Sequence, residues 1–285
     1  MTEATGRKKK LLEKPLFASM VVPTAIILVA GLIIFGVTRM LSSERSHRDL
    51  ISEMHSKTFG NRWVAAYELS KLLATSKIPT EEVPWVVANL SQIFSETPDA
   101  RTRNFIVLAL GTFSSNEVIP TLEKALKDED SQVKFNAVVT LGNREPGFSF
   151  DWTKLYPLLE QKDAGLQQVV IFALARHKPA GADAVINTFC QSEEIAVRYA
   201  AATAMIEYQN LDKKILAEIL SLDPEGEVKK FFNPIQVEAL KLNILSALSR
   251  NHLSALNPEI EKVANSDKNL KVSTKAKEVL NLLKN

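Results

Sequence analysis

The sequence predicts an all-α protein: an N-terminal transmembrane helix followed by an α-solenoid of about seven helical repeats. Three observations predict it. An apolar run without a charge extends from Leu16 to Thr38, behind a cluster of basic residues. A ten-residue pattern returns seven times between Asn61 and Asn281. Before most copies lies a second amphipathic stretch, so each unit reads as a helix A, a short turn and a helix B.

The first element is LFASMVVPTAIILVAGLIIFGVT, 23 residues or roughly 34 Å of helix at about 1.5 Å per residue. A bilayer core takes about 20 such residues. A cleaved signal peptide has a shorter apolar region, about 7–15 residues, and ends in an A-x-A-like site. The end of this run, GVTRMLSS, offers no such site, and no cysteine follows it for lipoprotein processing. The run therefore reads as an uncleaved anchor. It divides the chain into a basic cytoplasmic tail (1–15), an anchor (16–40) and a solenoid (44–285). Arg7, Lys8, Lys9, Lys10 and Lys14 precede the span, whereas Arg39, Arg45 and Arg48 follow it. That bias keeps the N-terminus in the cytoplasm. The expected localisation is the inner membrane, single-pass, with the solenoid extracytoplasmic or periplasmic.

Charge narrows the function classes. The whole chain carries +2, but residues 1–40 hold six Lys/Arg against two Asp/Glu. The other 29 basic and 31 acidic residues leave the body close to neutral. Nucleic-acid binding usually announces itself as a basic face, so no nucleic-acid partner is expected. Cys190 stands alone, so no internal disulfide forms.

The repeats are NRWVAAYELS (61–70), TRNFIVLALG (102–111), VKFNAVVTLG (133–142), LQQVVIFALA (166–175) and VRYAAATAMI (197–206), then the weaker VEALKLNILS (237–246) and VSTKAKEVLN (272–281). Places 1, 5, 8 and 9 share one side of a helix, the core stripe of helix B. Ala65, Leu141, Ala137 and Ala201 belong to it and are expected to be buried between repeats. Helix A of each unit is read in HRDLISEMHSK, EEVPWVVANLSQIF, EVIPTLEKALKD, WTKLYPLLEQK, ADAVINTFCQS, KKILAEILS and ALNPEIEKVANS. Pro84, Pro120, Pro157 and Pro258 suit the first turn of a helix A, where a missing N–H costs little. Neither helix can bury its stripe alone, so successive pairs stack into one core.

DSQVKFNAVVTLG, DARTRNFIVLALG and EEIAVRYAAATAM carry the pattern D-x-x-V-[RK]-x-x-A-x-x-x-L-G, in whole or part. In this the chain resembles the bacterial HEAT-repeat family over roughly residues 44–283. The resemblance implies the solenoid fold; such repeats recur in scaffolds, adaptors and a few enzyme subunits, so fold alone does not set function. Similar repeats occur in bilin lyases, from which this chain departs by its anchor and expected export.

Place 2 holds Arg62, Arg103, Lys134, Gln167, Arg198, Glu238 and Ser273. Arg62, Arg103, Lys134 and Arg198 read either as a basic strip for an acidic partner or as a structural ladder. In the ladder they answer acids three positions before place 1: Asp99, Asp130, Asp163 and Glu194. Such acids also cap helix N-termini. Chemistry finds no footing. The four histidines lack the spacing of a zinc site, Cys190 reads as a buried apolar residue, and no phosphate, dinucleotide or nucleophile motif occurs. No enzyme activity, cofactor, metal or small-molecule ligand is expected.

Two interruptions remain: NREPGFSFDW after repeat 3, and DPEGEVKKFFNPI (223–235) between the helices of repeat 6. Long insertions map to one face of a solenoid, often the binding face. Helix A of repeat 6 should stop near Asp223 and helix B restart at Pro234 with Asn233 capping. Phe231 and Phe232 are adjacent, so one ring is expected to staple the loop onto repeats 6 and 7. The other, flanked by Lys229 and Lys230, is a candidate anchor for a partner. The expected function is a membrane-anchored, non-enzymatic scaffold or adaptor presenting a long concave face to a protein of the cell envelope. The alternative is an enzyme, or an accessory subunit of an envelope enzyme or transporter complex.

Overall fold

Helix A and helix B alternate along the chain as the repeat predicts. The computed structural model describes residues 45–284, apart from 57, 58, 76 and 77. Its α-helices are α1 (His47–Met54), α2 (Phe59–Thr75), α3 (Val83–Glu96), α4 (Ala100–Leu110), α5 (Ile119–Ala125), α6 (Ser131–Gly142), α7 (Tyr156–Leu159), α8 (Ala164–His177), α9 (Ala182–Thr188), α10 (Ile195–Met205), α11 (Lys213–Leu220), α12 (Pro234–Arg250), α13 (Asn257–Ser266) and α14 (Leu270–Lys284). Odd numbers are helices A and even numbers helices B. Among the described residues there are no strands. The chain divides into two units, Met1–Leu50 and Ile51–Asn285. In the first, Ser46 and Asp49 open α1 reciprocally: the Asp49 N–H donates to Ser46 Oγ, and the Ser46 N–H to Asp49 Oδ2, both at 3.2 Å. The second holds the stacked repeats.

The anchor and localisation read from the N-terminus need correction. Among the described residues no helix is long and apolar enough to cross a membrane. α2 and α12 have 17 residues each, short of the ~20 that a bilayer requires, and both set polar residues against apolar ones. Residues 16–38 lie outside the described residues, as do Arg7, Lys8, Lys9, Lys10 and Lys14. A single-pass inner-membrane protein with an extracytoplasmic solenoid is therefore not supported.

Within the repeats, local chemistry sets the helix starts. Pro84, Pro120, Pro157, Pro234 and Pro258 each stand in the first turn of their helix, where the ring's fixed φ is already helical. A 3₁₀ turn precedes α3, α5 and α7. Asp130 caps α6, accepting from the N–H groups of Gln132 and Val133 at 2.9 and 3.1 Å. Asp163 caps α8 through Leu166 N–H at 3.0 Å, a bond that holds its carboxyl below the usual range. Asp99 and Glu194 depart from this expectation, for neither makes a side-chain cap bond. Asp99 instead accepts from the Thr102 hydroxyl at 2.8 Å. Thr102 stands at place 1, and its hydroxyl competes with the backbone for the carboxylate.

Helices B form the closely packed layer. α2, α4, α6 and α8 each pack on the next helix B, as α12 does on α14. Their contact surface needs small side chains. Ala65, Ala137, Leu141 and Ala201 are fully buried, as the register requires. A Cβ added at Gly142 would stand 3.0 Å from that of Ala173, so α6 approaches α8 there as closely as glycine permits. Repeat 6 departs from the small or apolar residue expected at place 5 with Lys241, whose buried ammonium meets Asp267 at 2.6 Å. Ala201→Phe should lower stability by about 1–3 kcal/mol, because overpacking a dense seam forces side chains off rotamer. Urea unfolding reads this, and an unchanged midpoint would contradict the register.

The direct contact of α10 with α12 is slight beside the other B–B contacts. The insertion between α11 and α12 supplies the missing packing. α11 ends at Leu220, before Asp223; a residue preceding proline is pushed out of the helical region, which ends the helix ahead of Pro224. Asn233 then caps α12 in a full capping box with Gln236, and Pro234 opens the helix.

Candidate functional site

The place-2 column points at the turns between helices A and B. Arg62, Arg103 and Arg198 each donate to a main-chain carbonyl six residues earlier, on Ser56, Thr97 and Ser192. Gln167 donates to the Leu159 carbonyl, eight residues earlier, at 2.8 Å. These carbonyls close helix A, so in repeats 1, 2, 4 and 5 this place staples helix B to the end of its own helix A. A second set of bonds crosses to the next repeat. Arg103 forks onto Asp128, Nε to Oδ2 at 2.7 Å and Nη2 to Oδ1 at 2.9 Å. Lys134 donates to Gln161 at 2.6 Å. Glu238 accepts from Asn269 at 2.7 Å. The acid that answers Arg103 is thus Asp128, five positions before place 1, rather than Asp130. Asp130 is occupied by the helix N-terminus. In KDEDSQVK the spacing alone does not choose between them.

In the 223–235 insertion one ring is buried and the other exposed, as expected, but the stacking partner of the buried ring lies in repeat 5 rather than in repeats 6 and 7. Phe232 is buried and stacks on Tyr199 of α10, centroids 5.7 Å apart and planes within 14°. Phe231 is 62 % exposed. Lys229 and Lys230 are exposed beside it, and Lys230 pairs with Glu227. Val228 packs on the cluster that holds Tyr199 and Phe232.

The sequence reading missed a second apolar stripe on helix B, at places 3, 4 and 7. In repeats 1 to 4 it comprises Trp63, Val64 and Tyr67; Phe105 and Leu108; Phe135 and Val139; Val169 and Phe172. Tyr67, Leu108 and Phe172 are 41 %, 36 % and 37 % exposed, and the others are half-buried. The stripe runs across neighbouring helices: the rings of Tyr67 and Phe105 meet edge to face at 5.2 Å. Lys71 lies 5.3 Å from the Tyr67 ring, and the Arg101 guanidinium 5.1 Å from that of Trp63. One turn to either side, the flanking positions carry Lys71, Arg101 and Arg176, with Glu68 beside Tyr67 and Asp99 bridged to Arg101 at 3.3 Å. The stripe stops at repeat 5. There Tyr199, Ala200 and Thr203 occupy the same places, but all are buried, Tyr199 beneath Phe232. The signal was present in copies such as LQQVVIFALA, apolar on more than one side. A helix that is apolar on two sides buries both or presents one to a partner.

Elsewhere the surface is less distinctive. A cavity of about 860 Å³ opens between α11 and α13, lined by Lys214, Glu218, Lys241, Lys262 and Asp267 among others, with charges of both signs. Cys190 is buried, which pushes its thiol pKa up. Among the described residues no group of His, Cys, Asp and Glu could hold a metal ion.

His177, at the end of α8, stacks on Trp152 with centroids 3.9 Å apart, and its Nε2 lies 3.1 Å from the Gly142 carbonyl oxygen. Its Nδ1 is buried without a hydrogen-bond partner. Burial holds its pKa below the ordinary 6.5. The unfolded chain then takes up this proton first as pH falls. Stability should be full above 6.5 and decline as pH drops through 6.5 toward the folded value. Midpoints of urea unfolding at several pH values between 7.5 and 5 measure this. His177→Gln should flatten that decline; an equal decline in the variant would assign it elsewhere.

Comparison with known proteins agrees with this geometry. The family described as HEAT repeats matches residues 87–146. The complex of CpcE and CpcF of phycocyanin lyase from Nostoc sp. PCC7120 superposes with a TM-score of 0.55 at 19 % identity, covering 84 % of this chain and 94 % of that one. The fold is an α-solenoid of HEAT-like repeats. The archaeal HEAT-like repeats protein from Thermococcus onnurineus NA1 is similar at a TM-score of 0.44 and 18 % identity, covering 84 % of this chain and 97 % of that one. A designed armadillo repeat protein in complex with the peptide (KR)4 gives 0.42 and 16 %, covering 82 % and 98 %. Among curated proteins no sequence matches.

Proposed function

We propose that this solenoid is a non-enzymatic adaptor that holds a protein partner against the free face of helices α2, α4, α6 and α8. The observation that carries the reading is the stripe from Trp63 and Tyr67 through Leu108 to Phe172, exposed in part and recurring in four repeats with Asn104, Asn136 and Gln168 interleaved. Contiguous apolar surface of this kind marks interaction sites, and large aromatic side chains supply much of the binding energy at interfaces. Lys71 and Arg176 border the stripe, so the partner segment carries apolar side chains with acidic ones opposite these two positions. The exposed Phe231, with Lys229 and Lys230, gives the partner a further contact on the insertion that closes the stripe. Arg62, Arg103, Lys134 and Arg198 serve the partner indirectly, by fixing the A–B turns that space the helices.

The reading is supported by a fold typical of scaffolds. A lyase subunit shares that fold at low identity, but no cluster of reactive side chains lies on the stripe. The test is a photoreactive residue placed at Tyr67, Leu108 or Phe172, with Lys127 and Glu261 as helix-A-side controls. One protein should crosslink at all three stripe positions and at neither control. Equal crosslinking from both sides, or from the controls alone, would refute the stripe as the docking surface.

A further inference from the structure

Arg144 lies where NREPGFSFDW leaves the end of α6. Its side chain is buried, the residue being 8 % exposed. Nη1 donates to the Phe113 carbonyl in the preceding B–A link at 2.6 Å. The Phe148 ring lies 5.4 Å from the guanidinium carbon. Nε and Nη2 are both buried and have no hydrogen-bond partner. These two nitrogens form the side-on edge of the guanidinium, which grips a carboxylate with two parallel N–H···O bonds.

Arg103 shows in the same protein what that edge does when filled. There too Nη1 donates to a main-chain carbonyl, that of Thr97 at 3.1 Å. Its Nε and Nη2 hold the two oxygens of Asp128 at 2.7 and 2.9 Å. Arg144 thus repeats the arrangement of Arg103 without the acid. Burial lowers its pKa, with no carboxylate facing it to offset the effect. A buried guanidinium left half-paired destabilises the fold, so an uncompensated one suits a site filled from outside.

We infer that Arg144 is a preformed carboxylate-binding site, its Nε–Nη2 edge receiving the two oxygens of a carboxylate that enters beside Phe148. The ring is half-exposed and stands as the movable cover. Gly147, with φ +88° and open space around it, turns the chain so that Phe148 folds back over the guanidinium. The neighbouring Glu145, Pro146, Gly147 and Ser149 are exposed, leaving that side of the site free for an incoming acid. The inference stands apart from the B-face stripe and does not depend on it.

The test reads the Arg144 Nε–H signal in ¹H–¹⁵N spectra of the full chain, assigned by its disappearance in Arg144→Lys. Titration with sodium acetate, and separately with a capped hexaglutamate, should move this signal saturably, while sodium chloride at equal ionic strength should not. A response to both probes identifies a site open to any carboxylate. A response to hexaglutamate alone identifies one for peptide carboxylates. In parallel, the responding probe at a hundredfold excess over its Kd should raise the Tm by roughly 5–10 °C. Arg144→Met should abolish that rise; should this variant fail to fold, the wild-type titration still decides. A signal that neither probe moves, or that chloride moves equally, overturns the site. So does a shift of the Arg144 signal in Glu145→Gln without any probe, since Glu145 would then fill the edge from within.

Discussion

Arg103→Ala should lower the stability of the solenoid by about 3–5 kcal/mol, the range for removing one partner of a buried ion pair. The side chains of Arg103 and Asp128 are 9 % and 6 % exposed. Without the guanidinium, Asp128 keeps one main-chain donor, the Asp130 N–H at 2.9 Å, against a buried charge. The Thr97 carbonyl loses its Arg103 bond as well, so the turn between α3 and α4 and the seam between repeats 2 and 3 loosen together. Arg103→Lys should fall between wild type and alanine, because an ammonium keeps the charge but not the fork. Arg103→Met combined with Asp128→Leu should recover part of the loss, since the stranded charge is gone. Urea unfolding of the four proteins decides the matter. A loss under about 1 kcal/mol for Arg103→Ala is what a surface pair gives, and would show that the pair is not buried in solution.

Phe232→Ala should cost about 3–5 kcal/mol, as truncation of a buried phenylalanine does, whereas Phe231→Ala should stay within ~0.5 kcal/mol, as surface substitutions do. The Phe232 effect carries a further signature. α10 and α12 touch little directly, and Phe232 on Tyr199 joins the repeats on either side. In a solenoid, stability is a sum over neighbouring interfaces. Weakening this one should separate unfolding of α12–α14 from that of α2–α10. Hydrogen exchange should show early loss of protection in α12–α14 for Phe232→Ala and one common rate for wild type. Equal effects of the two alanines would contradict the assignment of the rings.

Much of this fold was legible because each repeat states it again. Seven copies in one register place alanine or another fitting residue at the fifth place, and the burial of Ala65, Ala137 and Ala201 follows from that period alone. The prolines were equally plain, since a fixed φ and a missing N–H have one comfortable place in a helix. Asn233, Pro234 and the divergence of Phe231 from Phe232 were readable for the same reason: local chemistry decides them. The pairing of Arg103 was not, because choosing Asp128 over Asp130 requires knowing which acid the helix N-terminus has already taken. The stripe was missed because places 3, 4 and 7 look like extra core. Only the stacking of B helices, with none of the described residues laid over repeats 1 to 4, leaves that side open. Repeat 5 carries comparable residues and buries them, and the difference comes from an insertion more than twenty residues further along the chain. The N-terminal run was read by length and apolarity, which describe a candidate span but place it in no membrane.

The docking face is tested most directly by binding of the crosslinked partner, purified, to wild type and to Leu108→Ser/Phe172→Ser. Both side chains are more than one-third exposed, so the double variant should keep its Tm within about 2 °C while its Kd rises at least tenfold, a loss of about 1.4 kcal/mol or more. An unchanged Kd with an unchanged Tm would contradict the account.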